Sequence, residues 1–378
     1  MKNKLIIACA GAGKTTYLID KSIELSNSKI LITTFTDENY SSINLKFIKK
    51  YKVVPNHVRI QTWFSFLLEH CIKPFQGKVI DKNINGILLV NGKSGFRFKI
   101  NGKPVYWDEG NTKNYYFTKD MLVYSDKISK LALKCNEENN NLVFQRIKSL
   151  YDYIFIDEIQ DMAGFDFELI KSMMEYGIKI IMVGDPRQIT YKTHHTNKNK
   201  KYNDENLKDF FEKKCSKICE IDEKVLNVTH RCRKEIIDIA NKVFPQYTPA
   251  NSDFKKLDDV INGVYFFDTN DVFNIQNCLK AAVLRFDKRF FENDSNVINI
   301  GKSKGLEFDH TILILTKDMI NWFFKPIELG NETKAKLYVA LTRARFSCGI
   351  CIENINKYLE YLNKESLINN INIYRLKK

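Results

Sequence analysis

KLIIACAGAGKTT, residues 4–16, is the stretch whose reading decides the fold. The apolar run KLIIAC, residues 4–9, reads as a β-strand. Small residues and glycines follow it, and a helix is expected from about Lys14 to Leu25. Gly13, Lys14 and Thr15 fit the phosphate-binding pattern G-x-x-x-x-G-K-[ST], with Ala8 in place of the leading glycine. The pattern has a mechanical reason. Ala10, Gly11, Ala12 and Gly13 lack bulk, so backbone N–H groups can wrap a phosphate, and Lys14, Thr15 and Thr16 open a helix whose N-terminus favours anions. Lys14 is expected to reach the β- and γ-phosphates and the Thr15 hydroxyl to bind Mg²⁺, which makes ATP and Mg²⁺ the expected ligands.

Working outward, further apolar strands are predicted at 29–34 (KILITT), 58–62 (VRIQT), 153–157 (YIFID) and 178–184 (IKIIMVG). Beyond a polar linker at 192–208, strands are predicted at 224–228, 263–268, 295–300, 310–315 and 346–352, with a helix over 233–243. Strands alternating with helices predict an α/β fold with mainly parallel sheets, in two units. Residues 71–148 have another texture. NINGILLVNGKSGFRFKINGKPVYW, residues 83–107, predicts small β-hairpins, and NEENNN, residues 136–141, a loop. This segment reads as an insertion in the first unit. Its lysines with Phe96, Arg97, Phe98, Tyr106 and Trp107 either grip nucleic acid or form an ordinary solvated basic face.

The chain has 378 residues, 44% of them hydrophobic, enough for two or three domains with real cores. No apolar run reaches the 18 or so residues of a membrane span, so no membrane partner is expected. Nine cysteines, an odd count without a recognisable signal peptide, favour a reducing, cytoplasmic setting. Cys348 and Cys351, with Cys215 and Cys219 placed on one helix, allow a zinc site as the alternative to buried thiols. A net charge of +14 favours a polyanionic partner such as nucleic acid, against the alternative of a lysine-rich composition throughout.

IFIDEIQD, residues 154–161, supplies what a phosphate loop needs next. Asp157 ends an apolar strand, where a second Mg²⁺ contact is required, and Glu158 is placed to polarise an attacking water. The following strand ends in GDPRQITY, residues 184–191, where Gln188 is the candidate sensor of the γ-phosphate.

Taken in order, these motifs resemble those of the UvrD/Rep-type superfamily 1A helicases. ACAGAGKTT, DEIQD and GDPRQITY are similar to that family's first three motifs. TTFTDENYSSI, residues 33–43, and TWFSFLL, residues 62–68, resemble its segments that touch single-stranded DNA. The resemblance thereby implies DNA contacts at Thr34, Phe35, Thr36, Thr62, Trp63 and Tyr191. LNVTHRCR, residues 226–233, resembles motif IV and implies that Arg231 contacts the γ-phosphate. KGLEF, residues 304–308, resembles motif V and implies Glu307 near the nucleotide sugar; LYVALTRAR, residues 337–345, resembles motif VI and implies Arg343 as an arginine finger.

The resemblance further implies two RecA-like P-loop domains: domain 1A at 1–70 and 149–215, a 1B-like insertion at 71–148, and domain 2A at 216–378. It implies an ATP hydrolase moving 3′ to 5′ on single-stranded or partly duplex DNA, with the nucleotide between the two sheets. Four departures stand out. The family's adenine-reading Gln has no counterpart before the first strand, and His230 stands where the family has Tyr, as an adenine stack or a structural residue. Thr193 and His194 replace an aromatic–Arg pair after Tyr191. Gly301 replaces the His of motif V. About 70 residues separate motifs IV and V, so a large 2B-type insertion is reduced or absent. Compact members occur beside nucleases in bacterial anti-phage defence, which leaves an ATP-driven switch on a partner nuclease as the alternative to a motor. A scaffold with vestigial ATP use would predict losses at Lys14, Asp157, Glu158 or Arg343, and a small-molecule kinase would lack KGLEF and LTRAR.

Overall fold

A computed structural model describes residues 2–189, 198–199, 202, 206–254, 261–286, 297–325, 327–356, 358 and 372–373. The chain is α/β with two parallel six-stranded sheets, and it divides into two compact units. The first comprises Met1–Ile6, Lys14–Gly184 and Lys192–Asp222; the second comprises Ile7–Gly13, Asp185–Tyr191 and Glu223–Lys378.

The first sheet runs Cys219–Asp222, Asn3–Ile7, Ile180–Gly184, Tyr153–Ile156, Ile30–Thr34, Val58–Thr62 in spatial order. Ile30–Thr34, Tyr153–Ile156 and Ile180–Gly184 are buried throughout, as central strands of a parallel sheet covered on both faces are. Helix Lys14–Glu24 follows the loop, and Asp37–Tyr51 follows Thr34. The second of these has clear punctuation: the Thr36 side chain accepts from Asn39 N–H, Asp37 and Glu38 sit in the first turn, Lys49 and Lys50 in the last, and Lys52 closes it at φ 69°.

The second sheet runs Val297–Asn299, Ala282–Arg285, Phe308–Ile314, Ala344–Ile352, Gly263–Asp268, Asn372–Ile373. Its centre is the buried strand Ala344–Ile352, which carries Cys348 and Cys351 as core thiols, pushed up by burial to about 12 and about 11. Cys215 and Cys219 do not share a helix: Cys215 follows the helix Leu207–Lys214, and Cys219 starts a strand, because Cys219–Asp222 pairs in parallel with Asn3–Ile6. Among the described residues no cluster of three or more His, Cys, Asp or Glu side chains could hold a metal ion. No described helix is long and apolar enough to cross a membrane.

Segment 71–148 holds one hairpin, Phe96–Ile100 with Lys103–Tyr106, rather than several. The pair Gly86–Leu88 and Leu122–Tyr124 is parallel, and the segment ends in helices Ile128–Glu138 and Leu142–Leu150. The expected loop at 136–141 begins only after Glu138. The Asn136 side chain is buried, donates to Asn141 Oδ1 at 2.8 Å and accepts from Phe144 N–H at 3.2 Å, so it caps the turn from within the helix. Likewise the strand expected at 224–228 shrinks to Val228–Thr229.

The root of the hairpin is fixed by a buried lysine. Lys127 Nζ donates to Ser94 O at 3.0 Å and Tyr115 O at 2.8 Å, and lies 4.1 Å from the Tyr115 ring centre. Burial lowers this ammonium to about 8; Asp126 opposes the shift, while Lys93 and Lys130 add to it. A lysine depressed in the folded state takes up a proton on unfolding between about 8 and its ordinary value, so its burden on stability is full below 8 and lifts as pH rises. Wild type is therefore expected to gain stability over Lys127→Met between pH values below and above that point. Urea unfolding of both proteins at the two pH values checks this, and a pH-independent difference would contradict it.

Candidate functional site

In the first unit the acid pair meets the start of the phosphate-loop helix. Thr15 Oγ1 donates to Asp157 Oδ2 at 2.8 Å, and Lys14 Nζ lies 3.5 Å from Glu158 Oε1. The sheet arranges this: Ile156 pairs with Thr33, and Asp157 N–H extends the ladder to Thr33 O at 2.9 Å, so the two carboxylates project just past a strand end. Asp157 is almost wholly buried; burial and the neighbouring Glu158 carboxylate push it up to about 6, with Lys14 and the Thr15 hydroxyl pulling against them. Glu158 itself stands at φ 56°, in a region costly for a residue with a Cβ, of order 1–3 kcal/mol. It is held there by Gln160, whose amide donates to Glu158 Oε2. Gln160 in turn packs so closely on Gly184 that a Cβ there would collide with it.

In the second unit, the bend of the phosphate loop passes against segment 226–231. Cys9 N–H donates to Leu226 O at 3.0 Å and His230 N–H to Gly11 O at 3.1 Å. Gly11, at φ 76°, is required: a Cβ would stand 2.5 Å from Arg231 Cβ and 2.6 Å from Thr229 Oγ1. Gly13 has φ 77°, and Ala10 and Ala12 are buried. Arg231 donates through Nε and Nη2 to Glu307 Oε1 at 2.8 and 2.6 Å, and through Nη1 to Thr342 O at 3.4 Å. His230 is exposed and pairs with Asp253 at 2.8 Å. Thr16 is half-buried on the helix.

Behind these residues lies a buried network that sequence reading did not anticipate. Asp185, with no exposure to water, accepts at Oδ2 from the Tyr338 hydroxyl at 3.0 Å and from Gln188 Nε2 at 2.9 Å. At Oδ1 it accepts from Arg187 Nε at 2.7 Å. Arg187 Nη2 donates to Ala8 O at 2.8 Å, and Ala10 N–H donates to Tyr338 Oη at 3.2 Å. Gln188 Oε1 accepts from Arg343 Nη2 at 3.3 Å, while Arg343 Nη1 donates to Leu306 O at 3.0 Å. Burial holds the Tyr338 phenol well above its ordinary value, so it remains a donor. Two motifs, GDPRQITY and LYVALTRAR, are thus joined side chain to side chain, and both reach the backbone of a further one. Tyr338 sits on a helix, Asn331–Thr342, whose buried residues include polar ones at 338 and 342.

The proposed DNA-contact residues divide. Thr34 and Thr62 are register partners at the ends of adjacent parallel strands, and Thr36 and Thr62 each cap a following helix. Phe35 is half-buried. Its ring partner is Phe64, 5.0 Å away and edge-on, a residue the sequence reading passed over. Trp63 is corrected: it has no exposure, and Nε1 donates to the buried Asp166 at 2.9 Å, so it anchors the core and offers no face to a base. Thr34 is likewise fully buried. Tyr191, Thr193 and His194 lie outside the described residues.

Against known families, residues 129–352 match the viral superfamily 1 RNA helicase core domain, and residues 1–194 match an AAA domain. Each match covers more than half of the chain. The chain belongs to the superfamily 1 helicases. Its P-loop helicase domains imply ATP binding and hydrolysis. This superfamily 1 helicase is 23% identical to a probable DNA helicase of Mycoplasma pneumoniae, over 94% of the chain and 82% of that protein. It is 25% identical to the ATP-dependent DNA helicase Rep of Buchnera aphidicola, over 50% of the chain and 36% of Rep. It is 31% identical to the RecBCD enzyme subunit RecB of Borreliella burgdorferi, over 31% of the chain and 9% of RecB. Among solved structures, the arterivirus nonstructural protein 10 helicase aligns over 93% of the chain and 59% of its own length, at 13% identity and a TM-score of 0.46.

The Tyr338 hydroxyl carries a testable share of the second unit's stability. Tyr338→Phe keeps the ring but leaves Ala10 N–H and Asp185 Oδ2 each one partner short, at a cost of about 1–2 kcal/mol. Urea unfolding is expected to show that loss; a variant as stable as wild type would mean the hydroxyl bonds are not part of the folded state in solution.

Proposed function

We propose that this superfamily 1 helicase is of the UvrD/Rep type and couples Mg-ATP hydrolysis to movement along single-stranded DNA, in the 3′ to 5′ direction. The observation that carries the reading is the convergence of Lys14, Thr15, Asp157 and Glu158. It supports turnover rather than binding alone. A cation and a hydroxyl from the phosphate-loop helix stand within 3.5 Å of two carboxylates, one nearly inaccessible to water and one held in a strained backbone conformation.

The roles follow from the chemistry of each group. Thr15 Oγ1 and Asp157 are hard oxygen donors suited to Mg²⁺, which when bound neutralises charge on the β- and γ-phosphates. Their mutual hydrogen bond, and the burial and neighbouring Glu158 carboxylate that make Asp157 a weaker acid, fit a pair that gains from a cation. Lys14 binds phosphate oxygens. Glu158 accepts a proton from the attacking water, with Gln160 orienting it. Arg231 and Arg343 supply positive charge to the phosphates. Within the second unit Arg231 is tethered by Glu307, and Arg343 is held by Gln188, so each guanidinium group is fixed on its own unit. Such preorganised charge is the main source of catalysis in phosphoryl transfer. In this reading domain 1A spans 1–70 and 149–215 with the 1B-like insertion at 71–148, and domain 2A spans 216–378; within 1A, Ile7–Gly13 and Asp185–Tyr191 group with the second compact unit.

DNA is the proposed track because several curated relatives are named as DNA helicases, and because the net charge of +14 suits a polyanion. Phe35, Phe64, Thr36 and Thr62 at the ends of adjacent strands form the proposed contact, with Trp63 beneath as support. The competing reading, an ATP-driven switch on a partner such as a nuclease, draws support from one relative being by name an enzyme subunit.

Steady-state ATP hydrolysis, with and without single-stranded DNA, separates the two. Wild type is expected to be stimulated many-fold by DNA. Glu158→Gln is expected to lose roughly 10²–10⁴ in turnover while still gaining thermal stability from ATP. Slow hydrolysis indifferent to DNA would remove the motor and leave the switch.

A further inference from the structure

Between helices Lys14–Glu24 and Asp37–Tyr51 of the first unit lies a cleft of about 300 Å³. Thr16 and Ile19 line it from one helix, and Lys46, Lys49 and Lys50 from the other. Its size is at the lower end of small-molecule sites, roughly 300–1,000 Å³. The walls are chiefly apolar, because the lysine stems line them together with Ile19. The spacing i, i+3, i+4 sets the three lysines along one side of their helix.

The frame of the cleft is built from the core outward. Next to Ile19, Asp20 accepts from Lys50 Nζ at 2.5 and 2.7 Å and from the Tyr51 hydroxyl at 2.8 Å, which ties the two helices together. Thr16 follows Thr15, whose hydroxyl donates to Asp157 at 2.8 Å. Lys50 is thus committed within the protein, whereas Lys49 forms no ion pair among the described residues. Lysines in a last turn offset the helix dipole, which accounts for Lys49 and Lys50. It accounts neither for Lys46, a turn earlier, nor for the open space between the helices. The acids of this helix, Asp37 and Glu38, stand in its first turn, away from the lysines.

We propose that this cleft is a binding site, separate from the phosphate loop, for a small phosphate monoester with a planar or apolar body, such as a nucleoside monophosphate. The phosphate lies against Lys46 and Lys49, the body covers Ile19 and the lysine stems, and Thr16 offers a hydroxyl. A doubly charged oxyanion suits two compact ammonium groups, whereas one carboxylate would be served by one of them. The volume admits one such molecule and is too small for a strand of nucleic acid. The site goes beyond the ATP-hydrolysing reading and does not depend on it.

The test is calorimetric titration of AMP into protein whose phosphate loop is already saturated with Mg²⁺ and adenylyl imidodiphosphate. Wild type is expected to take up one AMP per chain, more weakly as salt is raised, and to bind adenosine and inorganic phosphate each less tightly than AMP. Lys46→Gln with Lys49→Gln is expected to lower AMP affinity roughly tenfold or more, since two hydrogen bonds to a charged group are lost. Both lysines are exposed, so this variant is expected to keep the wild-type thermal midpoint and affinity for adenylyl imidodiphosphate. No AMP uptake with the loop filled, or equal uptake by the variant, would overturn the proposal and leave the ATP reading intact. Polyglutamate bound through the two lysines, with no AMP bound, would overturn it in favour of an acidic protein segment. A wild type that fails to bind adenylyl imidodiphosphate would overturn the ATP reading alone. AMP is then titrated by itself, and equal affinity of wild type and variant would overturn the cleft.

Discussion

A carboxylate with no contact with water, Asp185, is the constraint around which the second unit is arranged. Burying an unpaired charge is prohibitive, so every lone pair of such a group must find a donor. Here the donors are Arg187, Gln188 and Tyr338, and two of them reach further: Arg187 to Ala8 O, and Tyr338 to Ala10 N–H. Satisfying one charge thus sets the course of the phosphate loop, and Gln188 passes the same order on to Arg343. Removing a member would strand polar groups in a site that water does not reach.

The parallel sheet supplies the second ordering principle. In the first unit, Thr34, Thr62 and Ile156 end strands at one edge, and Asp157, Glu158 and the Thr36 and Thr62 caps stand just beyond them. Binding groups in α/β sheets gather at the carboxyl ends of strands because the chain must turn there into a helix, and turns leave backbone and short polar side chains available. The strained Glu158 and the close approach at Gly184 belong to the same edge. Strain at that point is sustained by rigid buried strands on either side.

Much of this was legible in the sequence because local chemistry dictates it. A strand, a run of small residues and Lys14-Thr15 define a phosphate loop through backbone geometry alone, and an acid pair closing an apolar strand marks Asp157 and Glu158. The hairpin was legible in part: its alternation gave Phe96–Ile100, but the extent of 71–148 in helix did not show, since Asn136 acts from inside a helix through a partner five residues on. Trp63 misled for a related reason. An aromatic beside Thr62 looks like a stacking residue until Asp166, a hundred residues away, claims its indole N–H.

The sequence by itself determined the two α/β units, the phosphate loop and the acid pair at a strand end, because each is fixed by residues close together in the chain or by a short pattern with one workable geometry. Only the tertiary structure decided which of those residues meet. It placed Phe64 rather than Trp63 beside Phe35, gave Arg231 to Glu307 and Arg343 to Gln188, and brought Tyr338 against Asp185 across 153 residues of chain. The physical reason is the range of the forces involved: backbone preferences act over a few residues, whereas the demand that a buried charge be paired is met by whichever donor the packed core brings within 3 Å or so.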